Sequence, residues 1–375
     1  MTRVLYVDHA EALGGAEHSL LLLLKHLDRE RFQPLLACNH GPLAEAAAAL
    51  DVPVFPVEMP RIRGEPLGPV RLLRGGLALS NIIRRQRVDI VHSNVMRASF
   101  YAALAAKLSG RPLVWHVRDI HRPSERWYTR LMCRLARRVI AISQAVAAPL
   151  PCPAKAAVVY NGLDLEEHPP DLDGAAVRAE LRLPANAPVA GIVGRLRAWK
   201  GQDRFLRAAA MVAQQLPQAR FLVIGGSIFG GGEAYEVGLR QLAAELGLAE
   251  RVIFTGHRED LPRLLAALDV LVHCSEAEPF GRVLIESMAA QRPVVAFADG
   301  AVREIVVDGE TGLLVEPGDE RALAAAMIEL LSDRERARRL GAAGRTRVER
   351  FFTAAQTARS VEAAYSHLLD PGESV

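Results

Sequence analysis

No apolar run in the chain approaches the roughly 20 residues that cross a bilayer, so a spanning helix is not expected. Nor is a signal peptide expected: Met1-Thr2-Arg3 leads directly into Val4-Leu5-Tyr6-Val7, which reads as a first strand. Aromatic residues make up only 5%. Cysteines number four, and Cys38, Cys133, Cys152 and Cys274 lie far apart with no Cys-x-x-Cys pair and no metal-ligand spacing. That excludes a disulfide-stapled mini-fold and points to reduced, cytosolic thiols. What is present is ordinary globular material. Of 375 residues, 50% are apolar and 24% charged, which excludes disorder and collagen and suffices for two domains with separate cores.

The formal charge of +3 hides an asymmetry. Residues 1–165 hold 22 Lys and Arg against 13 Asp and Glu, a net of +9; the remainder holds 24 against 30, a net of −6. Oppositely charged halves suggest domains with different partners. A basic first half suits anionic lipid, a phosphorylated acceptor or nucleic acid; solvated arginines account for it equally well.

Short β-branched runs alternate with helical patterns throughout. Strands are expected at Arg3–Val7, Gln33–Ala37, Val52–Val57, Asp89–His92, Leu113–Val117, Val139–Ile142 and Ala157–Tyr160. A second set follows at Val189–Val193, Arg220–Ile224, Val252–Thr255, Val270–His273, Pro293–Ala296 and Gly312–Val315. Near-continuous apolar strands separated by helices predict parallel sheets covered on both faces. Two successive sets predict an α/β protein of two doubly wound domains. The boundary is expected within Asp164–Pro188, which is rich in Pro, Gly and acid; a last helix spans about 351–369, and 370–375 reads as a frayed tail.

Ligands in such sheets sit at the carboxyl ends of the strands, and the conspicuous residues fall there. Asp8 to Glu17, with Gly14-Gly15, joins the first strand to the first helix. A glycine pair lets backbone approach a ligand, and the helix beyond offers unpaired amides to an anion; a plain tight turn fits as well. The loop is not G-x-G-x-x-G, and Ala37-Cys38-Asn39 stands where a dinucleotide fold would carry its acidic ribose residue. In Gly194-Arg195-Leu196-Arg197-Ala198-Trp199-Lys200-Gly201, Arg195 and Lys200 could converge on a diphosphate, or form a solvated basic loop. The stretch Ser275–Glu286 is the most informative. Pro279-Phe280-Gly281 would present a helix's first amides to a phosphate, with Glu278 before the turn and Glu286 one turn or so inside the helix. His116 ends a strand in Val114-Trp115-His116-Val117-Arg118-Asp119, where a lone histidine is more often structural than catalytic.

Taken in order, these motifs resemble the retaining glycosyltransferases of family 4, the glycosyl transferases group 1, whose architecture is GT-B. Glu278 and Glu286 form that family's E-x7-E pattern, and the resemblance extends to the Gly14-Gly15 turn, His116, Asn161-Gly162-Leu163-Asp164, Gly194…Gly201 and Gly300…Glu304-Ile305-Val306. It implies an N-terminal acceptor-side Rossmann-like domain over 1–164, a C-terminal nucleotide-sugar domain over 165–350 facing it across a cleft, and a helix at 351–375 crossing back. It further implies that Arg195 and Lys200 neutralise the nucleotide diphosphate of a UDP- or GDP-sugar, and that Glu286 accepts from the ribose hydroxyls. Glu278, with the amides of Phe280, Gly281 and Arg282, would hold the transferred sugar. Gly15 would approach the phosphates, Gly256-His257-Arg258 would flank the base, and His116 would line the sugar and acceptor pocket. The glycine-rich loop Gly225–Gly232 is longer than the short Gly-x-Gly turn of many relatives.

No cofactor or metal is expected beyond the sugar nucleotide. Asp171-Leu172-Asp173, the only Asp-x-Asp in the chain, lies in the linker and reads as solvated. Nucleic acid is not expected as a partner. A nucleotide-sugar epimerase of the same architecture and a non-catalytic sugar-nucleotide-binding protein are the rival readings. On the acceptor side, Arg122, Arg126, Arg130, Arg134 and Arg138 recur every four residues with Trp127, Leu131 and Leu135 between them, and Arg61, Arg63, Arg71 and Arg74 add charge. This predicts either a helix lying on an anionic membrane, with a lipid-linked or anionic acceptor, or a solvated arginine face above a buried apolar one. The expected location is cytoplasmic, with the inner face of the plasma membrane as the membrane site.

Overall fold

The computed structural model describes residues 1–62, 64–226 and 232–369. Arg63, the middle of the glycine-rich loop at 227–231 and the tail at 370–375 lie outside the described residues. The chain divides into two units, Met1–Gly162 with Ala354–Val375, and Leu163–Thr353.

Among the described residues the first unit holds seven strands: β1 Thr2–Val7, β2 Phe32–Cys38, β3 Val54–Pro56, β4 Ile90–Ser93, β5 Leu113–Val117, β6 Arg138–Ala141 and β7 Ala156–Val158. They form one parallel sheet ordered β3-β2-β1-β4-β5-β6-β7. The second unit holds β8 Val189–Val193, β9 Arg220–Ile224, β10 Val252–Gly256, β11 Val270–His273, β12 Val294–Phe297 and β13 Gly312–Val315. These are also parallel, ordered β10-β9-β8-β11-β12-β13. Both sheets are doubly wound, as the apolar runs predict. Strand order reverses beside β1 in one sheet and beside β8 in the other, and such reversals leave a crevice at the strand ends.

Each core is built from inward-facing strand residues and the apolar stripes of the covering helices. In the first unit Val4, Tyr6 and Leu20 pack with Val361 and Tyr365 of the helix Ala354–Leu369. That helix is tied on by Glu362, whose Oε1 accepts from the Asp28 amide at 2.8 Å. In the second unit Phe205, Phe221, Val272 and Met327 lie in one cluster.

Three expectations need correction. The crossing between the units falls at Gly162–Leu163, just ahead of the expected stretch Asp164–Pro188; that stretch lies in the second unit, where Arg178 donates to Ala267 O (2.8 Å) and to Asp269 (2.9 Å). The four cysteines are not all reduced. Cys133 and Cys152 form a disulfide with Cα atoms 5.8 Å apart, while Cys38 and Cys274 stay free and buried. A separation of 19 residues gave no spacing signal, since the two meet only once the helix Arg126–Leu135 and β6 are placed. The arginine ladder is broken as well. Only Arg126, Arg130 and Arg134 lie on that helix; Arg122 caps the short 3-10 turn Pro123–Glu125, and Arg138 opens β6. Its buried face is Tyr128, Thr129, Met132 and Cys133. Trp127, at 50% exposure, and Leu131 and Leu135 therefore face outward with the arginines rather than into the core.

Candidate functional site

In the second unit the decisive side chains meet at the carboxyl ends of β8 and β11, the neighbouring strands where the order reverses. After β8, the turn Ala198–Lys200 ends in Gly201 and feeds the helix Gln202–Gln215. After β11 the chain turns through Ser275–Gly281 into the helix Arg282–Ala289. Gly281 caps that helix with φ +87°, and an added Cβ would sit 2.8 Å from Leu284. Gly300, also left-handed at φ +57°, approaches so closely that a Cβ would collide with the Glu278 backbone. The next amide, Ala301 N–H, donates to Glu278 O at 2.8 Å. The loop after β12 thus braces the loop that carries Glu278.

Lys200 and Glu278 join across this crevice. Lys200 Nζ lies 2.7 Å from Glu278 Oε2, both side chains being largely buried, and Nζ also sits 4.1 Å over the Trp199 ring. His273 Nε2 is 3.3 Å from the same oxygen, an ion-pair distance without hydrogen-bond alignment. Burial alone would raise the Glu278 carboxyl. The Lys200 charge and His273 outweigh it and hold the group well below the usual carboxylate range. Glu286 is 8% exposed and pairs with Arg282 at 3.1 Å, one turn along the same helix. Arg195 is exposed on its loop, while its backbone carbonyl accepts from Gln202 Nε2 at 3.0 Å.

Other expected residues fall less centrally. Phe280 is 2% exposed and packs its ring against Phe352, so only its backbone remains to meet a ligand. Gly256 ends β10 in a left-handed conformation and pairs with Gly225; His257 beyond it is exposed. Arg258 is committed to ion pairs with Asp260 (2.7 Å) and Glu180, which raise its guanidinium further above its ordinary value. Asp173 caps the helix Ala175–Glu180 by accepting from Ala175 N–H at 2.8 Å.

The first unit's strand ends carry a different array. Gly15 opens the helix Gly15–His26, and Glu17 reaches back to accept from the Gly14 amide at 2.8 Å. Asp8 follows β1, fully buried; its Oδ1 accepts from Ala10 N–H (2.9 Å) and its Oδ2 from Asn94 Nδ2 (2.6 Å). Asn94 Oδ1 accepts from Arg118 Nε (2.9 Å), and Arg118 Nη1 donates to Asn161 Oδ1 (3.0 Å). Burial, then the Glu17 charge, pushes the Asp8 carboxyl up to about 6. Next to this array lies His116, 3% exposed, with its Nδ1 3.1 Å from His92 Nε2. Burial, then the Arg118 charge, holds both rings neutral. Neither Asp8 nor Asn94 belongs to a motif that marks it as a site residue. Their signal is positional: each is the first residue after an apolar strand, as Arg118 is after β5.

Comparison with known proteins decides the family. Residues 13–167 match the model of Glycosyltransferase Family 4 and residues 174–347 that of Glycosyl transferases group 1. The chain is 34% identical over 303 residues to a D-inositol 3-phosphate glycosyltransferase of Streptomyces scabiei, covering 74% of this chain and 68% of that one. The chain belongs to the group 1 glycosyltransferases. It is also 32% identical over 244 residues to LpsB, a lipopolysaccharide core biosynthesis mannosyltransferase of Rhizobium meliloti, covering 64% and 69% of the two chains. Among solved structures, Anabaena HepE in complex with UDP and glucose superposes with a TM-score of 0.85 at 29% identity, covering 98% of this chain and 100% of that one. The α/β fold of this group 1 glycosyltransferase is accordingly GT-B, and its reaction class is glycosyl transfer from a nucleotide-sugar donor.

Proposed function

We propose that this glycosyltransferase moves a sugar from a UDP- or GDP-sugar, with retention and without a metal, to a hydroxyl of an anionic or lipid-linked acceptor. The observation that carries the donor side is the buried Lys200–Glu278 pair at the β8–β11 strand ends. Glycosyl transfer needs a departing diphosphate and an oxocarbenium-like sugar to be stabilised together. A fixed ammonium beside a fixed carboxylate, with the amides of Gly281 and Arg282 opening the next helix, offers both charges from the protein itself. In this reading Lys200 and Arg195 take the diphosphate, Glu278 orients the sugar, and Glu286 exchanges its Arg282 contact for the ribose hydroxyls. With no carboxylate assigned as nucleophile, the leaving phosphate would help deprotonate the acceptor on the same face of the sugar. UDP in the HepE structure supports a uridine donor.

The acceptor reading draws on the first unit's excess of base and on two relatives, one named for inositol 3-phosphate and one for lipopolysaccharide core. The outward row of Arg126, Arg130 and Arg134 with Trp127 and Leu131 supports peripheral attachment to an anionic membrane, as on the cytoplasmic face, in cell-envelope polysaccharide or glycolipid synthesis. No helix among the described residues is long and apolar enough to cross a membrane. A small soluble phosphorylated acceptor is the second reading, favoured by the inositol phosphate relative.

Incubation with UDP-glucose and GDP-mannose, with and without EDTA, tests the proposal. Inositol 3-phosphate and a lipid-linked saccharide serve as acceptors, and nucleotide release and product anomeric configuration are followed. An axial donor linkage preserved in the product, undiminished by EDTA, is expected. Inversion or loss with EDTA would refute the mechanism; donor interconversion without release would favour the epimerase reading, and tight binding without release a non-catalytic one.

A further inference from the structure

We propose that Tyr6, Tyr365 and His92 fix His116 as its Nε2–H tautomer, making it a hydrogen-bond donor toward bound ligand and not a base. Only the identity of that ligand rests on the transferase reading above. The four side chains are buried and connected in one line. Tyr6 Oη lies 3.0 Å from Tyr365 Oη, Tyr365 Oη lies 2.6 Å from His92 Nδ1, and His92 Nε2 lies 3.1 Å from His116 Nδ1. At the far end His116 Nε2 is buried with no partner among the described residues.

Proton counting sets the direction. Each neutral imidazole carries one ring proton, so each ring donates at one nitrogen and accepts at the other. A 2.6 Å separation is normal for a hydroxyl donor and short for an N–H donor, whose usual distance is about 2.9–3.0 Å. Tyr365 O–H therefore donates to His92 Nδ1, and the His92 proton sits on Nε2. From there it donates to His116 Nδ1, which leaves the His116 proton on Nε2. The Tyr6–Tyr365 contact joins two hydroxyls whose protons rotate, so it sets no direction by itself. Reversing the line would place an N–H in the 2.6 Å contact.

The consequence falls on His116. Its one lone pair is occupied by His92, so it has none to receive a proton from an acceptor hydroxyl. Its Nε2–H is a buried donor left unmet, which is costly until a sugar hydroxyl or phosphoryl oxygen arrives to accept. His92, Tyr365 and Tyr6 are positioning residues that act through it. A ligand lacking the matching oxygen should be rejected because the unmet donor would remain.

Histidine tautomers are read directly from imidazole nitrogen shifts. The full chain, labelled with 15N-histidine and free of ligand, is measured by long-range proton–nitrogen correlation, with His116 assigned by its loss in His116→Gln. Protonated Nε2 and bare Nδ1 on both His92 and His116 are expected. Tyr365→Phe should leave a mixture of tautomers at His116 and lower kcat/KM for UDP-glucose by about three- to tenfold. Protonated Nδ1 on His116 of the unaltered chain would overturn the proposal. An unchanged single tautomer and unchanged kinetics in Tyr365→Phe would remove Tyr365 from the line. The nitrogen shifts are read without turnover, so a protein with the expected tautomers and no transferase activity would refute the function and leave this inference standing.

Discussion

The two strand-end arrays use opposite electrostatic strategies. In the second unit, charges are kept and paired: Lys200 with Glu278, Arg282 with Glu286. In the first unit, burial shifts the titratable groups toward their neutral forms. His92 and His116 are held neutral, and Asp8 is pushed up to about 6 inside a line of amide, guanidinium and carboxyl contacts. Charge suits a ligand that is itself ionic and leaves with a change of charge, as a diphosphate does. Neutral, directional donors and acceptors suit hydroxyls that must be told apart. Two parallel, doubly wound sheets thus carry different chemistry in the residues just past their strands.

Breaking the charged side should have the largest effect. Lys200→Ala leaves the Glu278 carboxylate buried without its cation, and kcat/KM for UDP-glucose should fall by about 10²–10³, the scale of a lost electrostatic donor. Thermal stability should fall too, because an uncompensated buried charge is costly. Combining Lys200→Met with Glu278→Leu should recover stability without activity. Steady-state kinetics and calorimetry on the three proteins check this, and near-normal turnover in Lys200→Ala would abolish the contrast between the units.

A smaller effect tests the neutral side. Because the folded Asp8 carboxyl titrates at about 6, above its ordinary value, the folded state binds the proton more tightly than the unfolded one. Its contribution is most favourable at low pH and is lost as pH rises through the ordinary carboxylate range to about 6. Relative to Asp8→Asn, the unaltered chain should therefore lose about 1–3 kcal/mol between about pH 4 and pH 7. Denaturant melts of both proteins at several pH values measure it; a pH-independent difference would show that Asp8 is as ionic as Glu278.

The smallest effect lies on the first unit's outer surface. Each of Arg126, Arg130 and Arg134 should contribute about 1 kcal/mol to binding anionic vesicles. High salt should weaken this attraction, and Trp127→Ala should weaken whatever salt leaves behind. Sedimentation with anionic and neutral vesicles decides it. A supernatant protein at low salt would assign the row to solvent and favour a soluble acceptor.

The strands were legible because a parallel sheet buried on both faces demands apolar, β-branched runs, and such runs survive local reading. Val52–Val57 shrank to Val54–Pro56 because it pairs only with β2 at the sheet's edge. The loops after β8 and β11 were legible as motifs. Their pairing was not, since Lys200 and Glu278 lie 78 residues apart and meet only when β8 and β11 become neighbours. The same holds for Cys133 with Cys152 and for Tyr365 with His92, which are 273 residues apart. The arginine ladder failed for a local reason. Its period was sound, but the helix spans only Arg126–Leu135, so the outer two members belong to other elements.

The helix Ala354–Leu369 completes a unit whose other part ends at Gly162, with the whole of Leu163–Thr353 between them in the chain. During synthesis at about 5–20 residues per second, the first sheet therefore waits some tens of seconds for Val361 and Tyr365 to fill its core. The second unit, contiguous in sequence, has all its residues available first. Until then the exposed seat of that helix, formed in part by Val4, Tyr6 and Leu20, is open to chaperones and to the same helix of a neighbouring nascent chain. The first unit can therefore be completed only after every residue of the second has been made.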